Sequence, residues 1–159
     1  LEEALEIFET CEQVSLEHGI DRSPITTRYK NGRLEAWLML AERSEGAERA
    51  GWLARAEAEK DAVLKHGQKN YVPGLPETMT LRGTLAWLLG DESGAQEWWE
   101  GSRAMAEEMK LKFDLARTLL ETGRRLDDRG SLQRAIALFE KTGSQWELQE
   151  ARRIVAESV

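Results

Sequence analysis

Proline and cysteine are both scarce in this chain of 159 residues. The three prolines are Pro24, Pro73 and Pro76, and because proline breaks the hydrogen bonding of a helix interior, most of the chain is free to be helical. The single cysteine, Cys11, has no partner for an intramolecular disulfide. We therefore expect a protein of the cytoplasm, where thiols stay reduced.

Long apolar runs are absent as well. No stretch approaches the roughly 18 apolar residues that a membrane-spanning helix needs, and the N-terminus lacks the basic and apolar regions of a signal peptide. A membrane partner is therefore not expected. The chain opens at Leu1 rather than at a methionine, already in helical phase. From this we expect a fragment of a larger multidomain protein, with residues 1–159 forming one helical-repeat domain.

Basic residues are fewer than acidic ones, with 22 Lys or Arg against 29 Asp or Glu. The formal net charge is −7 and the isoelectric point is about 5.0, and an acidic surface repels phosphate backbones, so nucleic acid is not expected as a partner. The charge is uneven along the chain. Residues 1–19 contain six Glu and no Lys or Arg, whereas residues 110–159 contain ten Lys or Arg and eight Asp or Glu.

What the chain does contain is the residue set of α-helices. Ala, Leu, Glu and Arg are strong helix formers, and five glycines each follow an amphipathic run, as helix-ending glycines do. These glycines are Gly19, Gly67, Gly90, Gly130 and Gly143. No strand-like alternation of useful length occurs. The pattern predicts an all-α fold of eight helices, at about 1–18, 24–43, 46–67, 76–89, 92–109, 111–128, 131–142 and 144–158.

Local signals support several of these boundaries. Ser23 before Pro24 is typical of an N-cap followed by proline in the first turn. The stretches 93–96 and 144–147 have the spacing of a capping box. The proline-containing stretch 71–76 is the clear break in the chain.

An internal repeat organises the helices. Gly83, Gly90, Ala95 and Trp99 recur 40 residues later as Gly123, Gly130, Ala135 and Phe139. A weaker copy places Leu38, Ala50 and Ala54 at equivalent positions, and Ala4, Leu5 and Phe8 have the pattern of a second helix from an earlier unit. Small residues let two helices approach closely, and a large residue one turn later fills the gap to the next pair. Such pairs must stack to bury their apolar faces.

These residues resemble the tetratricopeptide repeat (TPR). The best-matching unit runs through Leu119, Gly123, Leu126, Gly130, Leu132, Ala135, Ile136 and Phe139. The resemblance implies a right-handed superhelical stack of antiparallel helix pairs, a TPR-like solenoid whose first helices line a concave face. The period of 40 exceeds the usual 34, so extended second helices are expected, with residues 103–109 as extra turns.

A narrower resemblance concerns the segments 81–91, 114–126 and 135–152. They are similar to the C-terminal helical-repeat regions of bacterial signalling ATPases of the STAND class. In such proteins a nucleotide-binding module, often joined to a protein kinase or a nucleotide cyclase, precedes a helical-repeat sensor. The resemblance implies a sensing or autoinhibiting role.

Residues that would carry catalysis are not evident. The chain has no glycine-rich phosphate loop and no dinucleotide-binding fingerprint. His18 and His66 precede helix-ending glycines and are interpreted as charges favoured near helix C-termini rather than as metal ligands. Cys11 is interpreted as a small packed hydrophobe. We therefore expect no enzyme, no cofactor and no metal.

Helical positions on the first helices predict the lining of a binding groove. The predicted residues are Glu35, Met39, Thr80, Thr84, Trp87, Arg117, Leu120 and Arg124. Trp and Arg are favoured at binding hot spots, and two arginines could hold a carboxylate of a partner peptide. The alternative is that both arginines pair with Glu121 or Asp128 on their own helix. Trp99 is expected in the core, and Trp146 is expected to cover the end of the stack.

The favoured hypothesis is a non-catalytic interaction or sensor domain of a larger signalling protein. It would bind a peptide, a partner domain or its own catalytic module through the concave face. One alternative is a helical-repeat sensor of a small molecule. Another is a self-assembling scaffold, a homo-oligomer in which the acidic first helix meets the mildly basic C-terminal region head to tail.

Overall fold

The computed structural model describes residues 1–157, apart from the side chain of Glu2. This range folds into eight α-helices and one short 3-10 turn, which confirms the predicted all-α fold. The helices are α1 (Glu2–Glu17), α2 (Pro24–Arg43), α3 (Gly46–Asn70), α4 (Leu75–Leu88), α5 (Glu92–Glu108), α6 (Lys112–Leu126), α7 (Arg129–Thr142) and α8 (Gln145–Glu157), with the 3-10 turn at Val72–Gly74. Residue 158, the predicted end of the last helix, lies outside the described residues.

The helices pack as neighbouring pairs that form a stack. Each helix contacts the next one along the chain, and the closest pairs are α2 with α3, α4 with α5, and α6 with α7. The first helices of these pairs also contact one another in order, α2 with α4 and α4 with α6, and α6 contacts α8. One side of the stack is therefore formed by α2, α4, α6 and α8.

Three of the five predicted helix-ending glycines do end helices. Gly19, Gly90 and Gly143 follow α1, α4 and α7 with φ of 65°, 89° and 72°, a left-handed conformation that glycine adopts without strain. The prediction was wrong for Gly67 and Gly130. Gly67 lies inside α3, where a Cβ atom would meet Leu75 Cδ2 at 2.9 Å. Gly130 lies in the first turn of α7, and Asp127 provides the left-handed residue after α6.

Side-chain caps mark the starts of α2 and α5. Ser23 caps α2 ahead of Pro24, as predicted, and its hydroxyl accepts the Ile25 N–H at 3.3 Å. The capping box predicted at 93–96 was wrong, because the Asp91 carboxylate caps α5 by accepting the Gly94 N–H at 3.0 Å. A carboxylate is a stronger acceptor than a serine hydroxyl at this positive helix end.

The stronger repeat copies coincide with close helix packing. Ala95 and Ala135 are fully buried on α5 and α7, and Trp99 and Phe139 one turn later are 2% and 0% exposed. The Trp99 indole lies directly against Gly83 of α4, which leaves no room for a Cβ atom there. The repeat therefore marks the sites where paired helices approach most closely.

The weaker repeat copy was wrong in α3. Leu38 is buried as predicted, but Ala50 and Ala54 are exposed. The buried face of α3 instead includes Leu53 and Ala56. The 40-residue repeat therefore does not predict which side of α3 is buried.

The described residues form two buried apolar clusters. One joins α1 to α4 around Leu34 and Leu85, and the other joins α5 to α8 around Leu119 and Phe139. Between α4, α5 and α6 lies a buried hydroxyl trio of Thr80, Ser102 and Thr118, whose oxygens are 2.8–3.0 Å apart. Because burying a hydroxyl without a partner is costly, this mutual bonding is what permits a polar layer there.

The contact at Gly83 gives a stability prediction. Gly83→Ala should lower the free energy of unfolding by about 1–3 kcal/mol, because overpacking displaces the buried Trp99 indole. The matched control is Gly51→Ala in α3, where a Cβ atom would meet nothing within 4 Å. That change should raise stability by about 0.5–1 kcal/mol through helix propensity. Urea unfolding followed by circular dichroism measures both, and equal effects would contradict the packing argument.

Candidate binding groove

A groove of about 680 Å³ runs along the side of the stack formed by α2, α4, α6 and α8. Each helix presents to it residues one or two turns apart, as one face of a helix must. They are Glu35, Leu38, Met39, Glu42 and Arg43 from α2; Thr80, Leu81 and Thr84 from α4; Arg117, Leu120, Glu121 and Arg124 from α6; and Trp146, Glu147, Glu150, Arg153 and Ile154 from α8.

At one position in the groove, Arg117 joins three helices. Its guanidinium donates to Glu35 of α2 and, at 2.8 Å, to Glu77 of α4. Glu77 also accepts from Asn31 Nδ2 at 2.8 Å, and Asn31 Oδ1 accepts the hydroxyl of Thr78 at 2.8 Å. Arg117 is therefore the centre of a polar network that crosses from α6 over α4 to α2.

The carboxylates around Arg117 are crowded. Burial raises the pKa of Glu35, and the negative charge of Glu77 raises it further although Arg117 opposes the shift. Burial and the charge of Glu77 likewise raise the pKa of Asp114. For Arg117, burial disfavours the cation, but Glu35 and Glu77 outweigh it and raise its pKa. The carboxylates of Glu35, Glu77 and Asp114 therefore repel one another around Arg117.

One helical turn or two further along, Arg124 and Arg125 form a second cluster. Arg124 Nε donates to Glu121 at 2.6 Å, and Arg125 Nε donates to the same carboxylate at 3.0 Å. Both arginines also reach Glu42 of α2, Arg124 at 3.3 Å. The Thr84 hydroxyl of α4 donates to Glu121 at 2.9 Å. This cluster, too, connects α6 to α2 across α4.

In the second cluster the glutamate pKa is shifted in the opposite direction to that of Glu35. Burial disfavours the Glu121 anion, but the charges of Arg124 and Arg125 outweigh burial, and the pKa of Glu121 is lowered. The same pairing, with Glu121 and Glu42, raises the pKa of Arg124 against the effect of burial. Here the ionised groups are mutually stabilised.

The structure brings seven of the eight predicted groove residues to one surface. These are Glu35, Met39, Thr80, Thr84, Arg117, Leu120 and Arg124. Trp87 is the exception, and its assignment as the aromatic anchor is corrected. It is half-buried and packs against Trp99 with ring centroids 5.9 Å apart, outside the groove lining. The position of the Trp87 ring is determined by its packing against Trp99 of α5.

The aromatic residue of the groove is Trp146, which sequence reasoning placed at the end of the stack. Its side chain is 70% exposed and lines the groove from the first turn of α8. The spacing of Trp146, Glu150 and Ile154 could have revealed this face, had α8 been included among the first helices. Arg43, at the end of α2, is a second groove residue that the prediction missed.

Arg117 and Arg124 differ in whether their ion-pair partners lie on their own helix or on other helices. Arg124 pairs with Glu121 on its own helix, as the local alternative held, but also with Glu42 of α2. Arg117 pairs with Glu35 and Glu77 of other helices. Both arginines are therefore already paired with carboxylates of the chain itself. A carboxylate of a binding partner would have to compete with these glutamates.

The remaining candidate side chains have structural contacts. His66 Nε2 lies 2.6 Å from the carbonyl of Asp21 and Nδ1 lies 2.8 Å from the Thr27 hydroxyl, so this ring ties α3 to the start of α2. Cys11 is a half-buried free thiol on α1. The described residues contain no group of three or more His, Cys, Asp or Glu side chains able to hold a metal ion.

None of the described helices combines the length and the apolar character that crossing a membrane requires.

No family model, curated protein or solved structure matches this chain.

The pKa of Glu35 is raised and that of Glu121 is lowered, so glutamine variants of the two form a matched pair. At neutral pH, Glu35→Gln should cost less stability than Glu121→Gln, because burial disfavours the ionised Glu35 carboxylate and offsets part of its ion pair with Arg117. Glu121→Gln should lower the free energy of unfolding by about 1–3 kcal/mol, because it removes charge-assisted hydrogen bonds.

The pH dependence checks the sign. The lowered pKa of Glu121 contributes stability that is present above the ordinary glutamate pKa and is lost as pH falls through the lowered value. The deficit of Glu121→Gln relative to the parent chain should therefore shrink in urea unfolding at acidic pH. An equal loss of stability in both variants at neutral pH would contradict the assignment.

Proposed function

We propose that this chain is a non-catalytic interaction module, a TPR-like helical-repeat domain that binds a peptide or a partner domain in its groove. The observation that carries the proposal is the groove of about 680 Å³ with the exposed Trp146 on its wall. A large aromatic side chain left in water at the side of a concave surface is a typical binding hot spot. Half-buried Met39 and Leu120 add apolar area to the same lining.

The charged groups of the groove support binding rather than catalysis. A general acid or base must be able to reach a substrate proton, but Glu121 and three of the four groove arginines, Arg117, Arg124 and Arg153, are each held in ion pairs within the chain. Arg43 lies in the groove without an ion-pair partner among the described residues. It is the groove cation best placed to meet an acidic group of a partner.

A role in a signalling ATPase of the STAND class remains part of the proposal. It is supported by the resemblance of the segments 81–91, 114–126 and 135–152 alone. In that setting the groove would bind a neighbouring module of the same protein, and occupancy would change the contacts of that module.

The test uses two double variants that are matched in residue type. Trp146→Ser with Arg43→Ser removes one exposed apolar side chain and one exposed arginine from the groove. Leu16→Ser with Arg22→Ser removes the same two kinds of side chain from an exposed surface near α1, away from the groove. Proteins captured on the immobilised chain from cell extract are identified by mass spectrometry, and each is then purified and titrated calorimetrically.

We expect a purified partner to bind the parent chain and the α1 control equally, and to bind the groove variant at least about tenfold more weakly, which corresponds to about 1.4 kcal/mol. Equal binding by all three proteins would place the interface outside the groove. Circular dichroism melting curves establish that the variants are folded.

A small-molecule sensor is the second candidate, and the size of the groove favours it. Small-molecule sites occupy about 300–1,000 Å³, a range that includes this groove. A specific ligand would raise the melting temperature by mass action. The shift should be lost in the groove double variant and kept in the α1 control.

Self-assembly through the ends of the stack stays a prediction. Ile7, Val14 and Leu16 of α1 are 56%, 42% and 66% exposed, beside the glutamates of the same helix. Sedimentation of the chain over a range of concentrations would detect an oligomer, and Ile7→Glu should abolish one that uses this surface.

A further inference from the structure

Two of the ion pairs that connect α2 to α6 are related by a regular geometry. Arg117 reaches Glu35 and Arg124 reaches Glu42, and both pairs are separated by 82 residues in sequence. Within each helix the two members are seven residues apart, which places them on the same face about 10 Å from each other. The pairs therefore cross the groove side by side, and we name them the Glu35 rung and the Glu42 rung.

Both rungs join helices that are not packed neighbours in the stack, since α4 lies between α2 and α6 and contacts each of them. Each rung is also braced on α4. Glu77 holds the arginine of the Glu35 rung at 2.8 Å, and Thr84 donates to Glu121, the second partner of Arg124, at 2.9 Å. The rungs thus fix the spacing of three helices at once.

The ion-paired side chains of both rungs are accessible to solutes that compete for the arginines. Their side chains are 25–36% exposed, so water and solutes reach them from the open side of the groove. The α4 side chains between them, Thr80 and Thr84, are buried. Among the described ion pairs, one more connects α2 to α6. It joins Arg125 to Glu42, the same glutamate that Arg124 binds.

We propose that the two rungs act together as an electrostatic clasp that holds α2 to α6 and keeps the groove narrow, and that the groove widens when both rungs are broken. A ligand that takes the place of Glu35 and Glu42 on the arginines opens the clasp, and so does replacement of the two carboxylates. The clasp is a property of the stack, and it does not depend on the proposed function.

The test measures the distance between the end of α6 and the junction of α2 with α3. Spin labels are placed at Glu45→Cys, just beyond α2, and at Leu126→Cys, the last residue of α6, in a Cys11→Ser background. Both positions are exposed and outside the groove lining. Pulsed electron paramagnetic resonance gives the distance distribution for the labelled parent and for Glu35→Gln with Glu42→Gln.

The control is Glu107→Gln with Glu140→Gln. It removes the same two charges from the ion pairs of Glu107 with Arg134 and of Glu140 with Arg152, which join α5 to α7 and α7 to α8 without crossing the groove. We expect the clasp variant to give a longer and broader distance distribution than the parent, and the control to match the parent. Superimposable distributions in parent and clasp variant would overturn the proposal.

A salt titration of the labelled parent keeps the proposal testable if the clasp variant does not fold. Raising NaCl from about 0.05 M to about 0.5 M shortens the Debye length from about 14 Å to about 4 Å. The parent distance should lengthen toward that of the clasp variant. A parent distance that is constant over this range, together with an unfolded clasp variant, would also overturn the proposal.

Discussion

Close approach of paired helices at small residues is the constraint on which the rest of the stack depends. Gly83 lies against the Trp99 indole, and Ala95 and Ala135 are fully buried at the corresponding points of α5 and α7. Because close-packed interiors leave little space, these contacts fix the rotation of each helix within its pair. That rotation in turn decides which side chains of α4 and α6 face the groove.

The groove is polar because the interior behind it is partly polar. The hydroxyl trio of Thr80, Ser102 and Thr118 separates the two apolar clusters, and Thr84 continues the polar surface to Glu121. An apolar face at this point would have attracted the next helix, whereas a polar one can remain open to water. Ion pairs then supply the connection between α2 and α6 that apolar packing does not provide.

The groove residues could be predicted where they follow helical geometry. Glu35, Met39, Thr80 and Leu120 lie where the positions on first helices placed them. Trp87 could not be placed correctly, because it lies seven residues after Thr80 on nearly the same face of α4, and helical spacing alone does not show that its ring packs on Trp99. Trp146 was missed because its exposure depends on how α8 contacts α6, a contact that no local pattern encodes.

Local chemistry in the sequence was enough to determine the number and type of the elements. Helix propensity, apolar spacing and glycines such as Gly90 and Gly143 act within a few residues, so they define the helices before any tertiary contact forms. The 40-residue repeat likewise identified the paired helices. Tertiary structure alone decided that Glu35 pairs with Arg117 and Glu42 with Arg124, because partners 82 residues apart meet only after the pairs have stacked and the helix rotations are set.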